Sequence, residues 1–331
     1  MSENTTHITD VPASAEQVSH QQHLLEIQAA AAARQKKQMD LAKIAQYDTA
    51  CRQKTVLHGV IGSAETNEDL GKTFWVIYDD NVTIYIPFDE AFQNPPKDMT
   101  DESKKDRWNQ TQFLTKSIGA TIPFVVTNIE VDHENLQAFC VASRNYGMRK
   151  VRRKYFGKDA VYSTEVGTDV DATIIAVGTH SARIAACGMD MKVRNVDLTH
   201  RYINDCKEEF LPGQTVRMRI VKVEQGDGEL PKLTLSARPL EMEGYVKASQ
   251  KLKPGSRHAG VVVAVSRTKN SKIVARLFLD GVNVPATCAD ITPHICQNIS
   301  SGTKVIFEVG GVKESGYVHG KILSIVAKPK L

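Results

Sequence analysis

The sequence predicts an all-β array of small barrels led by a helical extension. Three observations carry this. The first fifty residues contain no glycine and are rich in helix formers. From Thr55 onward, short β-branched runs alternate with Gly, Asn and Asp. The same order of five such runs then occurs three times. A length of 331 residues fits two or three domains. With 41% hydrophobic and 24% charged residues, the chain can form cores and is not of disordered composition.

The extension is read as residues 1–50. Its best helical stretch, Gln21–Gln46, has only two small apolar clusters, Leu24, Leu25 and Ile27, then Met39, Leu41 and Ile44. Five alanines intervene, so the apolar stripe is too thin to build a core and a solvated helix is expected.

The barrels are expected at 54–145, 166–240 and 253–331, with a basic connector at 146–165. Each has five strand candidates, and its longest polar or helical insert falls between the third and fourth. That is the spacing a closed Greek-key barrel needs, and closure removes exposed sheet edges. Gly59, Gly119, Gly213, Gly260 and Gly302 stand near the starts of first or fourth strands, where barrel strands bend.

The blocks resemble tandem S1-type RNA-binding domains, the family of bacterial ribosomal protein S1 and its shorter Gram-positive relatives. The likeness rests on GATIPFVVTNIEV with CVASR in the first block, and on PGQTVRMRIVKVE with KLTLSAR in the second. VTIYIPFDE and ASRNYGMRKVRRKYF add to it, while the third block ends LSIVAK and diverges. The resemblance implies five-stranded OB-fold barrels that bind single-stranded RNA across their second and third strands, with rings stacked on bases and cations on phosphates.

In the first block the candidate rings are Phe74, Trp75 and Tyr85. If Ile84, Ile86 and Phe88 point inward, Tyr85 points outward; on the second strand, Phe74 and Tyr78 share one face and Trp75 takes the other. The second and third blocks have arginine where the family has aromatics, so their candidates are basic: Arg183, Arg194, Arg217 and Arg219, then Arg267, Lys269 and Lys272. The densest charge lies at Arg144–Lys158, with Arg144, Arg149, Lys150, Arg152, Arg153 and Lys154 and no acidic residue. A short helix there places Arg149, Arg152 and Arg153 on one side and leaves Met148 and Val151 to dock.

No phosphate-binding glycine loop, dinucleotide fingerprint, zinc-protease helix or serine elbow occurs, so no cofactor, metal or enzymatic activity is expected. Six cysteines without a CxxC pair suit reduced thiols and a cytoplasmic location. No apolar run approaches the roughly 18 residues of a membrane span, and the first residues do not read as a secretory signal. The net charge of +4 permits an anionic partner. The expected function is non-catalytic binding of single-stranded RNA, with the ribosome or other translation or transcription machinery as further partners. The rival is a protein-interaction scaffold that uses the divergent second and third barrels against a ribosome, polymerase or virion partner.

Overall fold

The structure, a computed structural model, describes residues 15–92, 104–156, 160–201, 203, 205–224, 231–267, 273–289 and 291–328, with side chains described from 31 onward and, within the helix that begins at 104, from 109. Helix α1 (Ala15–Gln53) carries the alanine run. Residues 31–39 are exposed, as expected of a solvated helix. Its last turns differ from that expectation. Ile44, Tyr47 and Ala50 recur every third residue and are buried, Ile44 and Tyr47 within the first core. Lys43 bridges Asp79 (2.6 Å) and Asp80 (2.7 Å), and the Tyr47 hydroxyl donates to Asp79 (2.7 Å). Three well-placed apolar side chains were enough for docking, although the stripe as a whole is thin.

The first strand set is β1 (Val56–Val60), β2 (Ser63–Asn67), β3 (Lys72–Asp79) and β4 (Val82–Pro87), then helices α2 (Phe88–Ala91) and α3 (Lys104–Thr115), then β5 (Thr121–Asp132) and β6 (Gln137–Ser143). Helix α4 (Arg144–Phe156) leads to β7 (Asp169–Val177), β8 (Ser181–Ala186) and β9 (Met189–Arg194), short helices α5 (Asn195–Leu198) and α6 (Cys206–Glu209), then β10 (Thr215–Glu224) and β11 (Lys232–Ser236). Helix α7 (Arg238–Ser249) precedes the third set: β12 (Arg257–Arg267), β13 (Ile273–Leu279), β14 (Val284–Cys288), helix α8 (Pro293–Asn298), β15 (Lys304–Val312) and β16 (Val318–Ala327).

The third set is a closed barrel in the order β12-β13-β14-β16-β15, sealed by a short parallel pairing of β14 with β16. The first has the same ring order, with β1 and β2 acting as one bent strand: β1 pairs β5 and β2 pairs β3. At the bend, the Ile61 amide donates to Ala120 and the Gly62 amide to Val76, so the ladder passes across the break. In the second set the order is β11-β10-β7-β8-β9, and the seam between β9 and β11 is bridged by α5, whose Asp197 carbonyl accepts from the Ala237 amide.

One turn is repeated three times. The amides of Gly119, Gly213 and Gly302 donate to the carbonyls of Ile61, Ile174 and Val262, each at 2.8 Å. In return, those three residues donate to the carbonyls of Ala120, Gln214 and Thr303. Each glycine has a left-handed φ between +83° and +89°, which a side chain disfavours. This reciprocal pair pins the bend of every first strand to the start of every fourth.

The barrels hold three apolar cores, around Trp75, Ile84, Ile122 and Phe124, around Ile174, Ile184, Met218 and Leu235, and around Val262, Leu277, Phe307 and Val318. The first core also takes in Ile175 from β7. No helix among the described residues is long and apolar enough to cross a membrane.

The thiols report on all three cores. Cys140, Cys187, Cys206 and Cys288 are buried, whereas Cys51 and Cys296 are half-buried. Burial pushes the Cys140 thiol up to about 12 and the Cys187 thiol up to about 11, which suppresses their thiolates at neutral pH. With a colorimetric thiol reagent at pH 8, only Cys51 and Cys296 should react in the folded protein, and all six after denaturant is added. Fast reaction of a third thiol would contradict one of the cores.

Candidate nucleic-acid interface

Strand alternation decides which rings face out. On β3, Trp75 and Ile77 point into the barrel while Phe74, Val76 and Tyr78 take the opposite face. Trp75 is fully buried: its indole N–H donates to the Leu114 carbonyl (3.1 Å) and its ring meets the edge of Phe92. It therefore belongs to the core and is corrected as a stacking candidate. On β4, Val82, Ile84 and Ile86 point in and Thr83 and Tyr85 point out.

The small inward residues Ala138, Cys140 and Ala142 turn Phe139 and Val141 of β6 to the same outer wall, about 40% exposed. Register aligns Tyr78 with Thr83 and Phe139, and Val76 with Tyr85 and Val141. Tyr78 is 57% exposed, Tyr85 half-buried, and Phe74 lies buried with its ring edge-on to Tyr85 at 5.9 Å. The result is a ring-bearing wall across β3, β4 and β6. It is not basic. The Tyr78 hydroxyl donates to Glu65 (2.6 Å), which raises the phenol's pKa, and Asp79 and Asp80 are taken by Lys43.

Cations are supplied by α4, which packs on β5 and β1. Gly147 lies so close to Pro123 and Phe124 that a Cβ would come within 2.8 Å of the Phe124 backbone. Met148 is buried and Val151 half-buried, so the helix docks through the expected residues. At its other end, Gly188 (φ +72°) brings the β8–β9 turn onto the Arg152 backbone, where a Cβ would meet the amide at 2.4 Å. Arg149, Arg153 and Lys154 stand exposed. Arg152 is half-buried, and burial together with the Arg149 charge lowers its pKa. Lys150 bends back to donate to the Lys54 carbonyl and lies over the Tyr146 ring.

Arg144, the first residue of α4, is a second correction. Its side chain is fully buried and forked onto Asp190 (2.6 and 2.8 Å), with a further bond to the Ala91 carbonyl. It joins the first two barrels and is closed to a phosphate. Arg217 and Arg219 are likewise engaged. Register on β10 and β7 places them opposite Asp171 and Asp169, to which they are bonded, and Arg219 also reaches Glu243. Arg194 is 76% exposed and lies 3.3 Å from Asp197; Arg267 is exposed at the end of β12. Lys269 and Lys272 lie outside the described residues.

Arg183 projects from β8 onto two rings of the first barrel, Phe92 at 5.1 Å and Phe113 at 5.5 Å. The aromatic partners missing from the second barrel's own strands thus come from its neighbour's insert. Sequence reasoning missed these rings because the insert reads as a polar connection, and missed Phe139 although the alternation in QAFCVAS marks it as outward.

Burial of Arg144 makes its removal costly. Arg144→Ala leaves the Asp190 carboxylate uncompensated and should cost about 3–5 kcal/mol, whereas surface pairs such as Arg217–Asp171 should be worth about 0–1 kcal/mol. Urea denaturation followed by tryptophan fluorescence measures both, and equal effects would refute the assignment.

No protein-family model matches the chain, and no curated protein matches it. Among solved structures it is similar to a multidomain protein with nucleic acid binding domains from Streptococcus pneumoniae TIGR4, at 10% identity and a TM-score of 0.20, over 82% of this chain and 74% of that one. A likeness at that level decides neither fold nor ligand.

Proposed function

We propose that the chain is a tandem array of S1-type OB-fold barrels that binds single-stranded RNA without catalysis. The observation that carries this reading is the outward wall of Tyr78, Tyr85 and Phe139, together with the exposed cations of α4 in the same barrel pair. Unpaired bases stack on such rings whatever their sequence, for about 1–3 kcal/mol each, and exposed guanidinium and ammonium groups take the phosphates. Work in translation or other mRNA handling, in the cytoplasm and without a cofactor, belongs to the same reading.

Fluorescence anisotropy with a labelled single-stranded RNA oligonucleotide tests it, with a DNA strand of the same sequence alongside. The RNA should bind at low salt and weaken as salt rises. Tyr85→Ala and Phe139→Ala should each weaken binding by about 1–3 kcal/mol with the salt slope unchanged. Joint replacement of Arg149, Arg153 and Lys154 by alanine should flatten the slope of log affinity against log salt by about 0.7 for each phosphate that these side chains neutralise.

No binding of either strand at low salt would remove the proposal. A scaffold would then be favoured by the groove of about 910 Å³ beside α7, with Val221, Pro239, Met242 and Val246 in its lining.

A further inference from the structure

We infer that the cavity between the first two barrels is a binding site for a phosphate group. It encloses about 490 Å³ between the turn after α3 on one side and β8, β9 and α6 on the other. Four cations line it, Lys116, Arg183, Lys192 and Lys207, and among the described residues no Asp or Glu does. The three lysines are exposed, and none has an ion pair with a described carboxylate. The Arg183 guanidinium carbon lies over the Phe92 and Phe113 rings, at 5.1 and 5.5 Å, and no described carboxylate pairs with it, so its donors are left for a ligand.

A second observation points to a missing acceptor. Ser117 lines the same cavity and is 1% exposed, yet among the described residues its buried hydroxyl has no hydrogen-bond partner. Buried hydroxyls are almost always satisfied; a small turn of this side chain into the cavity would let it donate to a phosphate oxygen while four positive charges balance the anion. The junction of the second and third barrels is built differently. Its cavity of about 290 Å³ also holds arginines, but Arg201 is paired with Glu209 and Arg238 donates to His200. The charge of Arg201 is thus answered from within the protein.

The phosphate could belong to a strand that leaves the ring-bearing wall, which rests on the proposed RNA reading, or to a free nucleotide. The experiment separates the two. Inorganic phosphate and a nucleoside monophosphate are titrated by ³¹P NMR, and the RNA oligonucleotide by anisotropy, with the full chain and a Lys192→Ala/Lys207→Ala variant. Both lysines are exposed, so the variant should keep its four buried thiols protected.

The expected result is ³¹P broadening by the parent protein that the variant abolishes, with RNA affinity down about tenfold. Ser117→Ala should weaken phosphate less than the double variant does. Phosphate binding abolished in the variant, with no RNA binding by either protein, would support the site and remove the RNA reading. Absence of phosphate binding, or equal binding by parent and variant, would overturn the inference even if RNA bound normally.

Discussion

The arrangement of the first two barrels depends on one buried ion pair. Burying a guanidinium is expensive unless its donors are met and its charge is compensated. Arg144 is compensated by a two-point fork onto Asp190, a bond to the Ala91 carbonyl and a position 6.0 Å from the Trp75 ring, while its Nε has no hydrogen-bond partner among the described residues. Asp190 sits on β9 just after the turn that carries Gly188, so the pair sets where that turn meets α4. A second close approach supports it: a Cβ on Gly213 would stand 2.3 Å from the Gly119 carbonyl, so corresponding turns of the two barrels are in contact. Barrels on flexible linkers would gain affinity by raising local concentration. Two barrels clamped this closely gain it by preorganisation, because a ligand meets both surfaces without ordering them.

The same docking explains why the three outer walls differ. Arg183 on the second barrel's wall is covered by Phe92 and Phe113 from the first barrel's insert. Phe278 on the third barrel's wall is covered by Arg201, from the second barrel's insert, and by Tyr245 of α7. In both places a guanidinium meets an aromatic face, although the donor and ring exchange sides. Each insert thus caps the wall of the following barrel. Among the described residues no insert covers the first barrel's ring wall, where Tyr78 and Phe139 stay exposed.

Much of the fold was legible in the sequence because alternation and turn glycines are local signals. The inward residues of β4, and the glycines at 119, 213 and 302, were placed by their own neighbours in the chain. Tyr85 was legible as outward for the same reason. Arg144, Arg217 and Arg219 were not legible as ion-paired, since their partners lie 46, 46 and 50 residues away and no local pattern announces them. Trp75 could not be assigned a face until Ile77 and Ile84 were seen facing each other within one core. The docking of α1 was missed because a weak stripe says little about a helix that, among its described residues, buries only Ile44, Tyr47 and Ala50.

These successes and failures have one physical source. Inward positions and the reciprocal glycine turn specify a barrel three times over, and they place no demand on the outer wall. The wall is therefore free to carry rings in the first barrel, arginine in the second and a covered phenylalanine in the third while the backbone repeats. Resemblance in strand pattern reports on the inward face. Ligand chemistry is written on the outward one, where a side chain's role depends on which neighbouring barrel reaches it. Arg183 is the clearest case: in its own barrel it reads as a replaced aromatic, and against Phe92 and Phe113 it becomes part of a cationic cavity that neither barrel forms alone.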